Sequence, residues 1–505
     1  MPFRPAHDEP GFAASHHGSA AHEFAAYDDG VDAQEPGFAT QQVHAGEHDE
    51  AAFGARITPI YLSAGFRFEN FAQARDRFAG DDQGYVYTRA GNPTNSALER
   101  KLAELERGRD AVVVASGQAA LTVAVLAIAK AGDHILSAQS VYSGTRSLFT
   151  QGFGRFGIEV EFVDDARDLD EWRRRIRPNT RVLYAESIAN PTNDVIDLAG
   201  VSEVAQAAGV PFIVDNTLAT PYLVRPIEHG ADLVVHSASK FLSGHGAALG
   251  GVVVDAGTFD WSAAPGAFPH LTEPDTGLQG ASYLQAHGAG AYTAYLRGVT
   301  GALFGPVLSP FNAFLIQQGI ETLSLRVGRQ SSNAAALATW LEDQPEVLSV
   351  NYAGLPSNPS HDLAERYLPR GQGAVLSFVL DGGEAAAEPF YDAVELFSRM
   401  SHIGDTRSLI LHPATTTHAH LDAETRTRGR ISGGLLRLSV GLEEPEDLLR
   451  DLERGLAAVR AASARRAPAA SDLVLIDTTV ATSVAVPGTI TTTDAAASVL
   501  EGSTR

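Results

Sequence analysis

Residues 233–246, LVVHSASKFLSGHG, place a lysine just beyond an apolar run that is typical of a buried strand. The chain contains 38 lysines and arginines together, but only Lys101, Lys130 and Lys240 are lysines. Lys101 lies in a charged helical run and Lys130 in the predicted last turn of a helix, where a cation is favourable. Lys240 has neither explanation, and a lysine near a buried strand end loses its proton easily and becomes a nucleophile. The alternative at this point is an ordinary lysine whose amine extends to the surface.

Short apolar runs alternate with helical patterns on both sides of this stretch. The runs that predict strands are 111–115, 134–138, 159–163, 181–187, 211–216, 231–237 and 250–255. The helical patterns between them are 118–130, 169–176 and 201–208. This alternation predicts an α/β fold with a mainly parallel, doubly wound sheet covered by helices on both faces.

The pattern changes from about residue 308. Residues 310–343 predict one long helix, with a bend allowed, and strands at 374–380 and 435–442 precede a helix at 446–459. We therefore expect a smaller C-terminal α+β domain. We predict a disordered extension at 1–36 and an arm that contacts a neighbouring subunit at 37–90. A large α/β domain follows at 91–307, then the C-terminal domain at 308–462 and a low-complexity tail at 463–505.

Composition excludes several classes of function. The net charge of −23 argues against nucleic acids and anionic membranes as main partners. The chain has no cysteine, which rules out disulfides, thiolate catalysis and cysteine-based metal sites, and its scattered histidines predict no metal site. No signal pattern or membrane-length apolar run occurs, so we expect a cytoplasmic protein.

Polar residues follow several of the predicted strands. Ligands in open α/β sheets bind beyond the carboxyl ends of the strands, where such residues meet. Small residues at the start of a helix also leave backbone N–H groups free to bind a phosphate. The residues at the strand ends are Ser116, Gly117, Gln118, Asp215, Ser237, Ser239 and Lys240.

These strand ends together offer a phosphate cradle, a carboxylate and an amine. Pyridoxal phosphate needs this set: a lysine for its carbonyl, an acid for its ring nitrogen and donors for its phosphate. Asp215 taken alone is explained equally well as a helix cap, so it supports a cofactor site only together with the amine and the phosphate cradle. A nucleotide-binding fold is the competing interpretation, but residues 244–251, GHGAALGG, lack the G-x-G-x-x-G spacing and lead into a strand.

Nine motifs make the chain resemble the Cys/Met-metabolism family of fold-type-I pyridoxal-phosphate enzymes over about residues 37–460. Within that family it is most similar to the sulfhydrylases that act on O-acetylhomoserine. The resemblance implies a seven-stranded type of sheet with a smaller C-terminal domain. The motifs are ATQQVHAG, TPIYLSAGF, YVYTRAGNPTNSALE, ASGQAAL, SVYSGT, FIVDNTLATPYLVRPIEHGADLVVHSASKFLSGHG, SPFNAFLIQQGIETL, HPATTTH and LLRLSVGLE.

The resemblance also implies roles for the residues that hold the cofactor. Lys240 forms the covalent Schiff base and, once released, acts as the mobile acid and base. Asp215 pairs with the ring nitrogen, and Tyr142 stacks on the ring and assists proton transfer. Asn190 faces the phenolic oxygen of the ring. The backbone donors and hydroxyls for the phosphate come from Gly117, Gln118, Ser237 and Ser239.

Five further residues are implied for the partner subunit and the substrate. Tyr87 and Arg89 reach the phosphate from the neighbouring subunit, so the family resemblance implies a homo-oligomer, a tetramer of two catalytic dimers. Arg437 grips the substrate carboxylate, since an arginine inside an apolar strand requires an anion. Thr417 lies near that carboxylate, and His402 stands where the sulfhydrylases often have asparagine.

The expected reaction is a γ-replacement: O-acetyl-L-homoserine and sulfide, or methanethiol, give homocysteine, or methionine, and acetate. Cystathionine γ-synthase and methionine γ-lyase are the alternative activities. The alternative that is not an enzyme is a non-catalytic binding protein. The lyases carry a cysteine soon after the stacking tyrosine, whereas residues 142–145 read YSGT, which weakens the lyase reading. Residues 61–63, YLS, depart from the polar run of many relatives, and the long stretch from Phe259 to about Pro310 is similar to the sulfhydrylases.

Overall fold

A computed structural model describes residues 35–46, 54–264 and 266–466 of the 505-residue chain. The predicted N-terminal extension and C-terminal tail lie almost entirely outside the described residues. Among the helices in these ranges, none combines the length and the apolar character that crossing a membrane requires.

Twelve strands form two sheets in the part of the chain that the structure describes. The large sheet has the order β1-β7-β6-β5-β4-β2-β3, and the smaller sheet has the order β10-β11-β12-β9-β8. The strands are β1 Asp110–Val114, β2 His134–Ala138, β3 Glu159–Val163, β4 Thr180–Glu186, β5 Phe212–Asp215, β6 Leu233–His236, β7 Gly251–Asp255, β8 Val347–Asn351, β9 Val375–Leu380, β10 Ser398–Arg399, β11 Leu409–Leu411 and β12 Leu435–Ser439.

The large sheet is mainly parallel, as the sequence predicts. Strands β2 to β6 pair in parallel, and only β7 runs antiparallel, between β1 and β6. Apart from the edge strand β3, which is partly exposed, the strands are buried on both faces, which is why they read as apolar runs. The register pairs Glu186 with Asp215 and Asp215 with Val235, so two acids stand side by side at the carboxyl edge of the sheet.

Eighteen α-helices lie within the described residues. They are α1 Phe38–His44, α2 Phe71–Ala79, α3 Pro93–Glu106, α4 Gly117–Leu126, α5 Ser143–Ser147, α6 Leu169–Arg175, α7 Leu198–Ala208, α8 Thr220–Leu223, α9 Pro269–Thr272, α10 Tyr283–His287, α11 Ala291–Tyr295, α12 Ala302–Phe304, α13 Pro310–Ile320, α14 Leu323–Glu342, α15 His361–Tyr367, α16 Glu384–Ala393, α17 Ala423–Arg428 and α18 Pro445–Arg466.

The predicted long helix at 310–343 is wrong as a single element, because α13 ends at Ile320 and α14 begins at Leu323. The side chain of Arg326 explains the break. Its Nη2 donates to the Gly319 carbonyl at 2.7 Å, and its Nη1 donates to the Phe241 carbonyl at 2.9 Å. The guanidinium thus stabilises the end of α13 and ties it to the loop that carries the lysine at position 240.

The explanations for the other two lysines also need correction. Helix α4 ends at Leu126, so Lys130 lies beyond it, where its backbone N–H donates to Asp133 Oδ2 at 2.8 Å. Lys101 is only 2% exposed, and its Nζ donates to the carbonyls of Gln42 and Val43 at 2.9 and 3.0 Å. Lys101 therefore neutralises the carboxyl end of another helix, α1, and is not part of a solvated face.

The C-terminal sheet has its own core. Helices α14, α16 and α18 pack on it through the fully buried side chains of Leu337, Phe390 and Leu452, and Phe378 of β9 lies in the same core. Burying a side chain of this size contributes roughly 1.5–3 kcal/mol. Strand β12 runs through the middle of this sheet and carries one charged residue, Arg437.

Candidate active site

Lys240 lies in a tight turn directly after β6. The Lys240 backbone N–H donates to the Ser237 carbonyl at 3.1 Å, and the Gly244 N–H donates to the Lys240 carbonyl at 2.7 Å. Burial and, second to it, the neighbouring Arg437 charge together lower the pKa of Lys240 to about 8. The amine is therefore easier to deprotonate than an ordinary lysine, as Schiff-base chemistry requires.

The start of α4 meets the same turn. Ser116 caps the helix, because its hydroxyl accepts a hydrogen bond from the Ala119 N–H at 3.2 Å. A Cβ on Gly117 would lie 2.6 Å from the Ser237 Cβ, so only glycine permits this close approach. The first N–H groups of a helix have no partner within it, and the Ser237 turn lies beside the start of this helix. This arrangement fits a bound phosphate.

The remaining predicted phosphate residues have other contacts as well. The side-chain amide of Gln118 donates to the Gly144 carbonyl at 2.9 Å, so its side chain secures the next loop. The Ser239 hydroxyl donates to the Gly250 carbonyl at 3.2 Å and accepts from the Gly250 N–H at 3.0 Å. Ser239 thus closes the lysine turn against the strand that follows, and its contact with a phosphate stays a prediction.

The acid expected at the ring nitrogen stands at the end of β5. Asp215 Oδ1 accepts from the Thr217 N–H at 2.9 Å, and Oδ2 lies 3.4 Å from the Tyr184 hydroxyl. Burial raises the pKa of Asp215, while the hydrogen bonds from Thr217 lower it. A buried carboxylate in such a position gains from a cationic partner, which a protonated ring nitrogen supplies. Thr217 also accepts from the Ser237 N–H at 2.8 Å, which connects the acid to the cradle.

A second buried acid lies beside Asp215. Glu186 ends β4, and its two carboxyl oxygens accept from the backbone N–H groups of Tyr142 at 2.6 Å and Asn190 at 3.2 Å. Burial, followed by the charge of Asp215, raises the pKa of Glu186 well above its usual value. Glu186 therefore fixes the positions of two predicted cofactor residues at once.

Tyr142 and Asn190 occupy the loops that follow β2 and β4. The Tyr142 ring is 42% exposed, which leaves a face available for a flat ligand. It rests on Gly144, where an added Cβ would lie 2.9 Å from the Tyr142 Cζ. Asn190 is buried and precedes a cis peptide bond to Pro191.

Arg437 extends from β12 of the small sheet toward these residues. Its Nη1 donates to Asn190 Oδ1 at 3.3 Å and its Nη2 donates to the His402 carbonyl at 3.0 Å. Its Nε is buried without a hydrogen-bond partner among the described residues. Burial lowers the pKa of Arg437 to about 10. A buried guanidinium with an unused N–H and no carboxylate in contact is suited to bind an anion.

Thr417 and His402 are also predicted to lie at the substrate, and the structure shows different contacts for them. The Thr417 hydroxyl is 2.9 Å from His418 Nδ1, and the charge of Arg437, after burial, lowers the pKa of His418 to about 4. His402 Nδ1 lies 3.0 Å from the Nζ of Lys240. The structure therefore brings His402 to the lysine amine, and its backbone to Arg437.

Tyr87 and Arg89 have their described contacts elsewhere on the chain. Tyr87 is 48% exposed and pairs with Gly65. Arg89 donates to the Ala302 carbonyl at 2.6 Å, and its guanidinium lies 5.7 Å from the centre of the Tyr87 ring. Their role in a neighbouring subunit's site stays a prediction.

Sequence reasoning missed Tyr184, Glu186, Thr217 and His418. Glu186 could have been found, because it ends a predicted strand in the same way as Asp215. Tyr184 lies within the apolar run of β4 and carries no pattern that distinguishes it from a core residue. Taken together, the amine, the buried acid, the exposed ring and the glycine cradle fit pyridoxal phosphate.

Comparisons with known proteins agree with this fit. Residues 39–457 match the family model described as Cys/Met metabolism PLP-dependent enzyme. An O-acetyl-L-homoserine sulfhydrylase of Corynebacterium glutamicum is 43% identical over 434 residues, which are 85% of this chain and 99% of that protein. A homocysteine synthase of Schizosaccharomyces pombe is 42% identical over 422 residues, which are 83% of this chain and 98% of that protein.

Solved structures show the same similarity. A Campylobacter jejuni protein assigned as an O-acetylhomoserine (thiol)-lyase, crystallised with N′-pyridoxyl-lysine-5′-monophosphate, gives a TM-score of 0.80 at 33% identity over 83% of this chain and 99% of that chain. A cystathionine γ-lyase of Lactobacillus plantarum in complex with L-serine gives a TM-score of 0.72 at 34% identity over 84% and 100% of the respective chains.

Proposed function

The chain belongs to the Cys/Met-metabolism family of pyridoxal-phosphate-dependent enzymes, and we propose that it is an O-acetyl-L-homoserine sulfhydrylase. Relatives with that name are 43%, 41% and 41% identical to it over more than four fifths of this chain. The observation that carries the proposal is that Arg437 acts on the Lys240 amine, while Asp215 is joined through Thr217 to Ser237 and the Gly117 cradle.

The reaction exchanges one substituent on the γ-carbon of the substrate. The bond between this carbon and the acetate oxygen breaks, and a bond to sulfur forms. O-Acetyl-L-homoserine and hydrogen sulfide give L-homocysteine and acetic acid, with no oxidant or reductant. Methanethiol in place of sulfide gives L-methionine, so the enzyme serves methionine biosynthesis.

The cofactor supplies a carbonyl group that joins to amines and a ring that stores electrons from the substrate's α-carbon. The Gly117 cradle with Ser237 would hold its phosphate, Asp215 its ring nitrogen, and Tyr142 the face of its ring. Lys240 is the group that holds it covalently, and a pKa of about 8 lets the released amine take a proton at neutral pH and give it back.

Arg437 orients the amino acid. Its unpartnered Nε and its two other nitrogens form a fork that matches a carboxylate. Since Arg437 is 5% exposed, this interaction takes place away from bulk water and is stronger than a surface ion pair. The carboxylate then fixes the α-carbon relative to the Lys240 amine.

A substrate panel on the purified protein tests the function. We expect acetate release from O-acetyl-L-homoserine that depends on sulfide or methanethiol. Faster release with cysteine would identify a cystathionine γ-synthase instead, and 2-oxobutyrate from methionine would identify a γ-lyase. A colourless protein that borohydride does not modify would point to a chain without catalysis.

We also propose that the active form is a homo-oligomer, with Tyr87 and Arg89 completing the site of a neighbouring copy. Large apolar side chains are exposed on the N-terminal arm and on α12, which suits an interface: Leu62, Phe71, Phe78, Leu303 and Phe304. Co-expression of Lys240→Ala and Arg89→Ala chains tests this. Each variant alone is expected to be inactive, and the mixture to regain part of the activity, because one kind of hybrid site is intact. A tetramer and a cytoplasmic location stay predictions from the sequence.

A further inference from the structure

His402 and Lys240 form a contact that has no part in the reaction described above. The Nδ1 of His402 lies 3.0 Å from the Nζ of Lys240, although the two residues are 162 positions apart in the chain. We propose that His402 is the positioning residue for the Lys240 amine, accepting its hydrogen bond whenever the amine is not joined to the cofactor. This inference rests on the proposed function only for its use in catalysis, not for the contact itself.

The chemistry of the two groups sets the direction of the hydrogen bond. A lysine ammonium can only donate, so the imidazole must accept through a lone pair on Nδ1, and its proton then resides on Nε2. Burial, followed by the charge of Lys240, lowers the pKa of His402 to about 4, which keeps the ring neutral. The proton therefore stays on Lys240, and His402 orients the amine without taking its proton.

The loop that carries His402 is fixed from both sides. Arg437 Nη2 donates to the His402 carbonyl at 3.0 Å, and the Gly404 N–H donates to the Ser439 hydroxyl at 2.9 Å. Gly404 has a φ of +76°, and a Cβ there would lie 2.6 Å from the backbone nitrogen of Phe241. The loop therefore rests directly on the residue that follows Lys240. These contacts fix the backbone of His402 beside the lysine turn, and the ring's hydrogen bond among the described residues is the one to Lys240.

Two further charged groups, Arg437 and Asp405, act on this pair, and Tyr142 acts on Arg437. Arg437 lowers the pKa of both partners, and the carboxylate of Asp405 raises that of His402. Asp405 is itself engaged by Arg407, with Nε to Oδ1 at 2.8 Å. Tyr142 interacts with the charge of Arg437. The neutral imidazole of His402 accepts a hydrogen bond from Lys240 and so allows the amine to carry a proton in a buried site.

The consequence for catalysis concerns the released amine. When Lys240 takes a proton from the substrate carbon, a charged ammonium forms in a buried site next to Arg437. The lone pair of His402 stabilises that ammonium and holds it at one position, so the same proton can be returned. No proton leaves Lys240 for the ring, since the pKa of His402 is the lower by far.

The presence of only three lysines makes a direct test possible. The full-length protein, freed of cofactor with a carbonyl reagent, is labelled with a trace of acetic anhydride over a range of pH, and each lysine is followed by peptide mass. The variants are His402→Leu and His402→Met, which lack the acceptor, and His402→Asn, whose amide oxygen replaces it. Lys130, which is exposed, is the internal control.

We expect the apparent pKa of Lys240 to fall by about one unit in His402→Leu and His402→Met, because a hydrogen bond to a charged group is lost. His402→Asn is expected to keep the wild-type value, and Lys130 to be unchanged throughout. The pH dependence of pyridoxal phosphate attachment, followed by visible absorbance, should shift in the same direction.

A wild-type titration of Lys240 in either apolar variant, with a wild-type circular dichroism spectrum, would overturn the proposal. Equal shifts in all three variants would also overturn it, since they would reflect a general disturbance of the loop. The labelling needs neither substrate nor turnover. A failure of the sulfhydrylase assignment would therefore appear only in the substrate panel and leave this result unaffected.

Discussion

Arg437 Nη1 donates a hydrogen bond to Asn190 Oδ1 at 3.3 Å, which joins the C-terminal sheet to the loop after β4 of the large sheet. Asn190 is in turn fixed by Glu186, whose Oε2 accepts from its backbone N–H at 3.2 Å. The arginine proposed to bind the substrate and the loop proposed to face the cofactor are thus held in one network. A change at either end is expected to affect how the amino acid lies over the cofactor.

Replacing Arg437 should weaken substrate binding more than cofactor binding. Arg437→Gln loses a charge-assisted interaction of roughly 1.5–3 kcal/mol, so kcat/KM for O-acetyl-L-homoserine should fall by about 10- to 100-fold. Steady-state kinetics measure this, with the visible spectrum as the check that cofactor remains bound. Arg450→Gln on the exposed side of α18 is the matched control and should behave as wild type. An unchanged kcat/KM would remove Arg437 from the substrate site.

Lys240→Ala should abolish turnover while the fold persists, because the side chain proposed to bond covalently to the cofactor is missing. Borohydride treatment followed by mass spectrometry should attach the cofactor to Lys240 in the wild type and leave the variant unmodified. Lys130→Ala removes an exposed lysine and should be modified and active like the wild type. Modification of the Lys240→Ala chain at Lys101 or Lys130 would contradict the assignment.

Gly117→Ala should weaken the phosphate cradle. The added Cβ would lie 2.6 Å from the Ser237 Cβ, so α4 and the lysine turn must separate. We expect the dissociation constant for pyridoxal phosphate to rise by roughly tenfold or more, since an overpacked contact costs about 1–3 kcal/mol. Equilibrium dialysis of the cofactor measures it.

Gly154→Ala provides the matched control for that change. A Cβ at Gly154 meets no atom within 4 Å, so cofactor affinity should stay at the wild-type value. Equal affinities in the two variants and the wild type would mean that the close approach of α4 to Ser237 is not needed for the phosphate.

The large sheet could be predicted from the sequence because all its strands except the edge strand β3 are buried on both faces and read as apolar runs. The amine, acid and cradle could be predicted because the carboxyl ends of parallel strands share one edge. The break between α13 and α14 could not, since it depends on Arg326 reaching the Phe241 carbonyl, 85 residues away in the chain.

The burial of Lys101 could not be predicted from the sequence, for a related reason. A lysine in the run LERKLAELE indicates a solvated helix face, yet its partners are carbonyls 58 and 59 residues earlier, at the end of α1. The contact between His402 and Lys240 likewise joins segments 162 residues apart. Local pattern predicts elements and strand ends, whereas contacts made by long polar side chains follow only from the tertiary structure.

Glu186→Gln should weaken the arrangement that holds Tyr142. Both oxygens of Glu186 accept backbone N–H bonds, and a glutamine offers one acceptor and one donor. One N–H is then left unpaired at a cost of about 1–3 kcal/mol, which should lower the melting temperature by a few degrees and weaken cofactor binding. Differential scanning calorimetry with and without cofactor measures both. Glu203→Gln, on the exposed side of α7, should change neither quantity. A Glu186→Gln variant with the melting temperature and cofactor binding of the wild type would refute the role of Glu186 in holding Tyr142.

The buried Asp232 should make stability depend on pH. Its Oδ2 accepts from the Phe212 N–H at 2.9 Å, and burial, with Asp255 nearby, raises its pKa from 3.8 to about 7. Between these values the folded protein binds more protons than the unfolded chain. The stabilisation is therefore complete below pH 3.8 and is lost as the pH rises through about 7.

Asp232→Asn keeps an oxygen acceptor for Phe212 and removes the titration. The melting temperature of the variant should thus fall less than that of the wild type as the pH rises from mildly acidic to mildly alkaline, by a few degrees. Asp381→Asn, which changes an exposed carboxylate, should follow the wild-type curve. Parallel curves for Asp232→Asn and the wild type would show that the proton is not held at Asp232, and would leave Asp255, whose pKa burial raises to about 6, as the next carboxyl to replace.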